Sequence, residues 1–324
     1  MPELFKGAGI IPALFLCLPA GAEPRLAMPV DCTLGETCFI QNYMDRDPGP
    51  GARDFTCAGL SYDTHKGTDF GLPSLRAMTA GVDVHAAAPG VVRGVRDGMI
   101  DRVYTPQDEA RIDGRDCGNG VVIQHGDGWE TQYCHLMNGT VRVRSGQLVE
   151  TGDVLGRIGL SGRTQFPHLH ISVRHDGEPV DPFTPDGDPA ACRTGEARTM
   201  WIDDITYQPG AIMAAGFATG VPDYETVKAG AAAVERLARD ADALVLWGYA
   251  FGGRTGDVMT LRIEGPEGTF FETEQTLEKD QAQFYRAGGK RLRSPLSPGR
   301  YSGHIALIRD GTPVSEEVAT LIVE

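Results

Sequence analysis

The chain has 324 residues, 41% of them hydrophobic, with a formal net charge of −14. That length suits about two domains and the apolar fraction suffices for real cores. The charge argues against nucleic acid, which rewards lysine and arginine facing its phosphates, and against attraction to an anionic membrane surface.

In chain order, residues 1–22 read as a signal peptide: Lys6 gives a weak positive start, Ile10 to Leu18 is apolar, and Ala20-Gly21-Ala22 is a small-residue cleavage site. The apolar run is too short to span a bilayer, so no transmembrane segment is expected once it is removed. Leu16 stands before Cys17 where a lipoprotein signal wants a small residue, which argues against lipidation. A secreted or periplasmic location follows. Six cysteines remain after it, Cys32, Cys38, Cys57, Cys117, Cys134 and Cys192, with no Cys-x-x-Cys pair among them. An even count behind a leader reads as disulfides in an oxidising compartment. Cys117 and Cys134 flank a hairpin turning at Gly126-Asp127-Gly128 and are the expected pair, with Gly118 and Gly120 bending the strand to bring them into step. Cys192 is expected to tie back to Cys32, Cys38 or Cys57.

Residues 23–56 form a cysteine-containing extension rich in turn residues, with a surface loop at Asp45 to Gly51. Cys38 to Tyr43 alternates like a short strand and is expected to pack beside the following sheet rather than fold over its groove. Residues 57–198 are the second unit. Val82–Ala86, Gly90–Val95, Val121–His125, Thr131–Tyr133, Gln147–Val149 and Ile171–Val173 are its clearest strands, and no useful amphipathic helix interrupts them, so the unit is all-β. Arg96 to Arg115 is longer and more polar than a hairpin needs, either a groove wall or a surface insertion. Residues 199–324 read as an immunoglobulin-like β-sandwich, with strands at Trp201–Tyr207, Ala243–Ala250, Val258–Ile263, Gln283–Tyr285, Tyr301–Arg309 and Val318–Val323, and a short helix at Ala231–Arg239. That unit holds no chemical motif; a protein or glycan partner is open to it.

The chemistry concentrates in three places. In Phe166-Pro167-His168-Leu169-His170, period-two alternation puts both histidines on one strand face and Leu169 in the core. His65 and Asp69 stand four apart, on one face if the segment is extended, with Gly67 letting the backbone pass close. His135 lies in Tyr133-Cys134-His135-Leu136. A catalytic zinc takes three protein ligands and keeps a fourth position open. His65, Asp69 and one of His168 and His170 supply such a set, leaving His135 and the other histidine for proton transfer. His85 and His175 have no partner motif and read as structural, His125 as a hydrogen-bonding neighbour, and His304 as incidental.

The ordered run His65-x-Gly67-x-Asp69, Tyr133-x-His135-Leu136 and His168-Leu169-His170 resembles the lysostaphin-like (LytM-type) zinc endopeptidases, over roughly Tyr62 to Phe183. Gly81-Val82, Ala87-x-Pro89-Gly90, Gly120 to Gly128 and Gly159-x-Ser161-Gly162 are filler typical of that family. The resemblance implies a duplicated hybrid motif fold of antiparallel sheets with an open groove. It also implies zinc held by His65, Asp69 and His170, with His135 and His168 catalytic. The implied activity is hydrolysis of peptide cross-links in bacterial peptidoglycan. A non-catalytic regulator that activates an amidase, and a zinc protease acting on proteins, are the alternatives. Gln165-Phe166 departs from the small residues common in the family before the Pro-His step, which narrows the groove and bears on substrate identity.

Overall fold

Short runs of β-branched and aromatic residues broken by Gly and Asp leave the chain little choice but to pair strand against strand. The computed structural model describes residues 23–188, 191–192 and 198–324, and the leader read at 1–22, Cys17 included, lies outside them. Ten strands precede residue 181: β1 (Phe39–Asn42), β2 (Thr68–Gly71), β3 (Asp83–His85), β4 (Gly90–Arg96), β5 (Asn119–Gly126), β6 (Trp129–Leu136), β7 (Leu148–Val149), β8 (Val154–Arg157), β9 (His168–His175) and β10 (Glu178–Val180). Seven of them lie in the order β1-β2-β9-β6-β5-β4-β7, with β10 pairing β9, while β3 and β8 form a separate ribbon. Every pairing is antiparallel. Phe70, Val84, Ile123, Leu155 and Leu169 are fully buried in one apolar cluster on which both sheets draw. Strand β1 pairs with β2 at the sheet edge, as expected of the extension.

The segment expected as a wall or an insertion is ordered. It carries a 3₁₀ turn at Pro106–Asp108 and a one-turn helix at Glu109–Ile112. Arg102 N donates to Leu160 O at 3.0 Å and Tyr104 N to Thr164 O at 2.8 Å, so the segment lies along the 160–164 loop. Three disulfides staple this part: Cys32–Cys38, Cys57–Cys192 and Cys117–Cys134. Helix α1 (Leu75–Ala80) starts on a Ser74 cap.

Eight more strands build the sandwich. They are β11 (Ala211–Ala218), β12 (Arg236–Leu237), β13 (Ala243–Gly253), β14 (Val258–Gly265), β15 (Gly268–Thr276), β16 (Gln281–Arg291), β17 (Gly299–Arg309) and β18 (Thr312–Val323). Sheet β11-β13-β16 faces sheet β12-β18-β17-β14-β15. Leu244, Leu246 and Ala250 of β13 enter the sandwich core with Leu261, Ile305 and Leu307. Trp247, Tyr249 and Phe251 point the opposite way, into the core of the first unit, where Phe251 meets Phe39 with ring centroids 5.8 Å apart. Strand β13 is therefore covered on both faces, which is why its sequence is an unbroken apolar run.

Two sequence expectations are corrected. Trp201–Tyr207 is not a strand: only Trp201 makes an isolated bridge, to Leu26, and its ring sits 1% exposed against Phe70. Trp201, with Ile205 and Tyr207 packed against the same cluster, anchors the connecting segment in the first core instead of entering a ladder, while Ile202 is exposed. Ala231–Arg239 is not a helix. Helix α2 (Tyr224–Ala229) precedes it, capped by the Asp223 side chain and closed by Gly230 at φ 77°. Gly230 in the left-handed conformation ends a helix, so the alanines after it lie outside.

Candidate metal centre

Register places the site. Asp69 on β2 is directly opposite His170 on β9, and His170 is opposite Cys134 on β6. Directly opposed residues project from the same face, so the carboxylate and the imidazole meet without any special loop. Leu169 between the two histidines of β9 is fully buried, as the alternation predicted. His65 arrives differently from the extended segment expected. A turn at Asp63–Thr64, with Thr64 at φ 64°, folds the chain back, and only Thr68 onward is strand. Gly67 is required here by space: a Cβ would lie 2.5 Å from Ile171 O and 2.7 Å from the His170 ring. Because the backbone oxygen cannot yield, Gly67→Ala is expected to push β9 and His170 aside. Stability should fall by about 1–3 kcal/mol in thermal melts, with weakened metal binding in titrations.

Three potential ligand atoms converge. His65 Nε2 lies 3.1 Å from Asp69 Oδ1 and 3.1 Å from His170 Nδ1, and His170 Nδ1 lies 2.9 Å from Asp69 Oδ1. His65 Nδ1–H donates to Tyr43 O at 2.7 Å, which leaves Nε2 of the neutral ring with a bare lone pair. His170 Nε2 meets Ser172 Oγ at 2.9 Å, freeing Nδ1 in the same way. Asp69 Oδ2 accepts from Asn42 Nδ2 at 3.0 Å. Bonds of about 2.0–2.1 Å to a tetrahedral zinc put ligand atoms roughly 3.3 Å apart, close to these separations. The donor set thus fits zinc: one carboxylate and two imidazoles, each with its far atom already tied. Burial works to raise the Asp69 pKa, but His65 and His168 beside it prevail and hold the carboxyl well below the usual range. Burial works to lower that of His65, and Asp69 more than offsets it.

Two more imidazoles face the same point. His168 Nε2 lies 3.5 Å from Asp69 Oδ1, and its Nδ1–H donates to Phe166 O at 2.9 Å. His135 Nδ1–H donates to Ser161 O at 2.7 Å, and its ring centroid is 4.7 Å from that of His168. His135 reaches this position through an irregularity. Asn119 pairs with Leu136 and Val121 with Tyr133, so Cys134 and His135 together oppose Gly120 alone. The bulge throws His135 into the left-handed region at φ 63°, costly for a residue with a Cβ and a feature that clusters at functional positions. The Cys117–Cys134 disulfide and the His135 N to Cys117 O bond at 2.8 Å pin it there. Gly118, at φ 64°, and Gly120, where a Cβ would strike Tyr133 O at 2.5 Å, make the close passage possible.

All five residues singled out in the sequence therefore come together, and the other histidines do not join them. His85 bonds Gly152 O, His125 bonds Pro89 O and Thr131 Oγ1, His175 stacks on Trp129, and His304 lies by Glu264. Sequence reasoning missed Asn42, the Tyr43 carbonyl, Ser172 and the Thr164 hydroxyl, which lies 3.1 Å from His168 Nδ1, together with the roles of Ser161 and Tyr62. The Tyr62 ring stacks on His65 with centroids 4.4 Å apart, and Phe166 stacks on His168 at 4.3 Å, confirming a bulky ring beside the site.

A carboxylate and two imidazoles thus converge on an antiparallel sheet, with two further imidazoles facing them, a set of groups able to hold a metal ion. Residues 63–182 match peptidase family M23, so this stretch of the chain is an M23-type domain. It is 35% identical over 117 residues to peptidoglycan DD-endopeptidase ShyA of Vibrio cholerae, covering 36% of this chain and 22% of that one. It is 32% identical over 122 residues to the DD-carboxypeptidase/endopeptidase Mpg of Neisseria meningitidis, covering 37% and 22%. The match thus spans about a fifth of either relative's length. Among solved structures, a zinc-containing peptidase from Vibrio cholerae aligns with 28% identity and a TM-score of 0.28, covering 45% of this chain and 39% of that one.

Proposed function

We propose that the chain is a zinc-dependent endopeptidase of the cell envelope that hydrolyses peptide cross-links of bacterial peptidoglycan, with His65, Asp69 and His170 as zinc ligands and His135 and His168 as catalytic residues. The observation that carries this reading is the convergence of His65 Nε2, Asp69 Oδ1 and His170 Nδ1 within 3.1 Å of one another, faced by two imidazoles whose Nδ1 protons are already committed. The similarity to peptidoglycan endopeptidases over the same stretch supports the substrate class. The disulfides and the leader read in residues 1–22 support an extracytoplasmic location.

Zinc bound there would supply Lewis acidity, polarising the scissile carbonyl and making water a nucleophile near neutral pH. The residues do the rest. His135, buried and crowded by His168 and His170, has its pKa pushed well below the ordinary histidine range. With its proton fixed on Nδ1 by Ser161 O, its Nε2 is a base ready to take a proton from the attacking water and to pass it to the amine nitrogen as the C–N bond breaks. His168, with Nε2 3.5 Å from Asp69 Oδ1, faces the same point and sits beside the place where charge builds on the carbonyl oxygen. Tyr62 and Phe166 bracket the imidazoles, so an extended peptide would lie between two aromatic rings.

The test is zinc content together with release of soluble fragments from purified peptidoglycan by the chain starting at Glu23. One zinc per chain is expected, with release that stops on chelation and returns with added zinc. New amino termini in the fragments would name the bond cut. A zinc-loaded chain that releases nothing would overturn the peptidoglycan assignment.

A further inference from the structure

Strand β1 lies outside the stretch that matches the peptidase family, yet it completes the metal centre. The pairing of β1 with β2 is irregular. Ile40 is opposite Phe70 and Asn42 is opposite Asp69, so Gln41 is an extra residue on the β1 side. The extra residue sends the Gln41 side chain toward the sandwich, where its Oε1 accepts from Gln283 Nε2 at 2.6 Å and its Nε2 meets Met213 Sδ at 2.9 Å. Its second effect is to turn Asn42 onto the carboxylate that an unbroken ladder would have set against Gln41. Asn42 Nδ2 then donates to Asp69 Oδ2 at 3.0 Å, an orientation of the amide that is forced, because an ionised carboxylate only accepts. The following residues hold the other side of the site. Tyr43 O accepts from His65 Nδ1, Asp45 N donates to His65 O at 2.8 Å, and Asp45 Oδ2 accepts from Thr64 N at 2.9 Å.

From this geometry we infer that Asn42 is a positioning residue of the metal centre, fixing the Asp69 carboxylate so that it presents Oδ1 alone and keeps Oδ2 out of the coordination sphere. A carboxylate is free to rotate and offer both oxygens unless one is held elsewhere, and a second bound oxygen would occupy the position the reaction needs for water. The inference rests on the zinc reading above, and concerns a residue that touches neither metal nor substrate.

The experiment compares wild type with Asn42→Ala and Asn42→Leu. Leucine keeps the side-chain volume and removes the donor. Zinc affinity is read by chelator competition, the coordination number by the absorption spectrum of the cobalt-loaded protein, and the fold by melting of each variant without metal. Both variants are expected to bind zinc about 10–100-fold more weakly and to show a weakened, higher-coordinate cobalt spectrum, with the leucine variant melting near wild type. Zinc affinity within twofold of wild type in Asn42→Leu, with an unchanged cobalt spectrum, would overturn the inference, even if Asn42→Ala were weakened, because packing alone would then account for the residue. A wild-type chain that takes up no zinc would bring down the zinc reading itself, and this inference with it.

Discussion

Replacing His170 with alanine is expected to remove bound zinc and peptidoglycan release together. Of the three converging groups it is the one shared by both neighbours, opposite Asp69 on one side and Cys134 on the other. Without it, His65 and Asp69 remain as a two-ligand site, and a catalytic zinc wants three. The loss in affinity should exceed the roughly 10–100-fold that follows removal of a mere supporting hydrogen bond. The substitution also strips a partner from a buried carboxylate whose ionised form the surrounding imidazoles stabilise, so the variant should melt lower than wild type at neutral pH. Metal analysis after dialysis decides the matter: stoichiometric zinc in the variant would take His170 out of the ligand set.

His135→Ala should separate the two properties. No ligand atom is lost, so zinc is expected to stay, while kcat falls by about 10²–10⁴ as the general base disappears. Relief of the left-handed backbone does not follow, because alanine carries the same Cβ penalty at φ 63°. The wild-type pH profile gives an independent reading. Burial, and then His168 and His170, hold the His135 pKa well below 6.5, so the proton that silences it should add only below the ordinary histidine range. Turnover in the variant equal to wild type would exclude His135 from the chemistry.

Much of this centre was legible because its residues obey a period. His168 and His170 flank a fully buried leucine on a strand, and alternation alone put them on one face. Gly67 was legible as a close-approach residue, and it faces the His170 ring. Cys117 and Cys134 could be paired because a Gly-rich hairpin lay between them. The supporting atoms were not legible. Tyr43 contributes a carbonyl that any residue would carry, and Asn42 reaches Asp69 only through a bulge that no local pattern announces. Strand β2, Thr-Asp-Phe-Gly, holds two strand-averse residues, and its pairing is imposed by burial rather than propensity. Trp201 looked like the start of a strand for the opposite reason: its apolar character reflects insertion into a core that forms only once Leu26 and Phe70 are in place. Gly230 could have been read as the end of a helix, given Asp223 seven residues before it as a cap.

The Cys57–Cys192 bridge closes a covalent ring, with its two cysteines 135 positions apart in the chain, and all five site residues lie on the enclosed stretch. A single backbone cut inside the ring, in the exposed polar stretch around Asp113 and Gly114 for instance, cannot release a fragment: both pieces stay joined and the broken ends remain neighbours. The bridged chain thereby tolerates a nick that would separate an unbridged one into two halves.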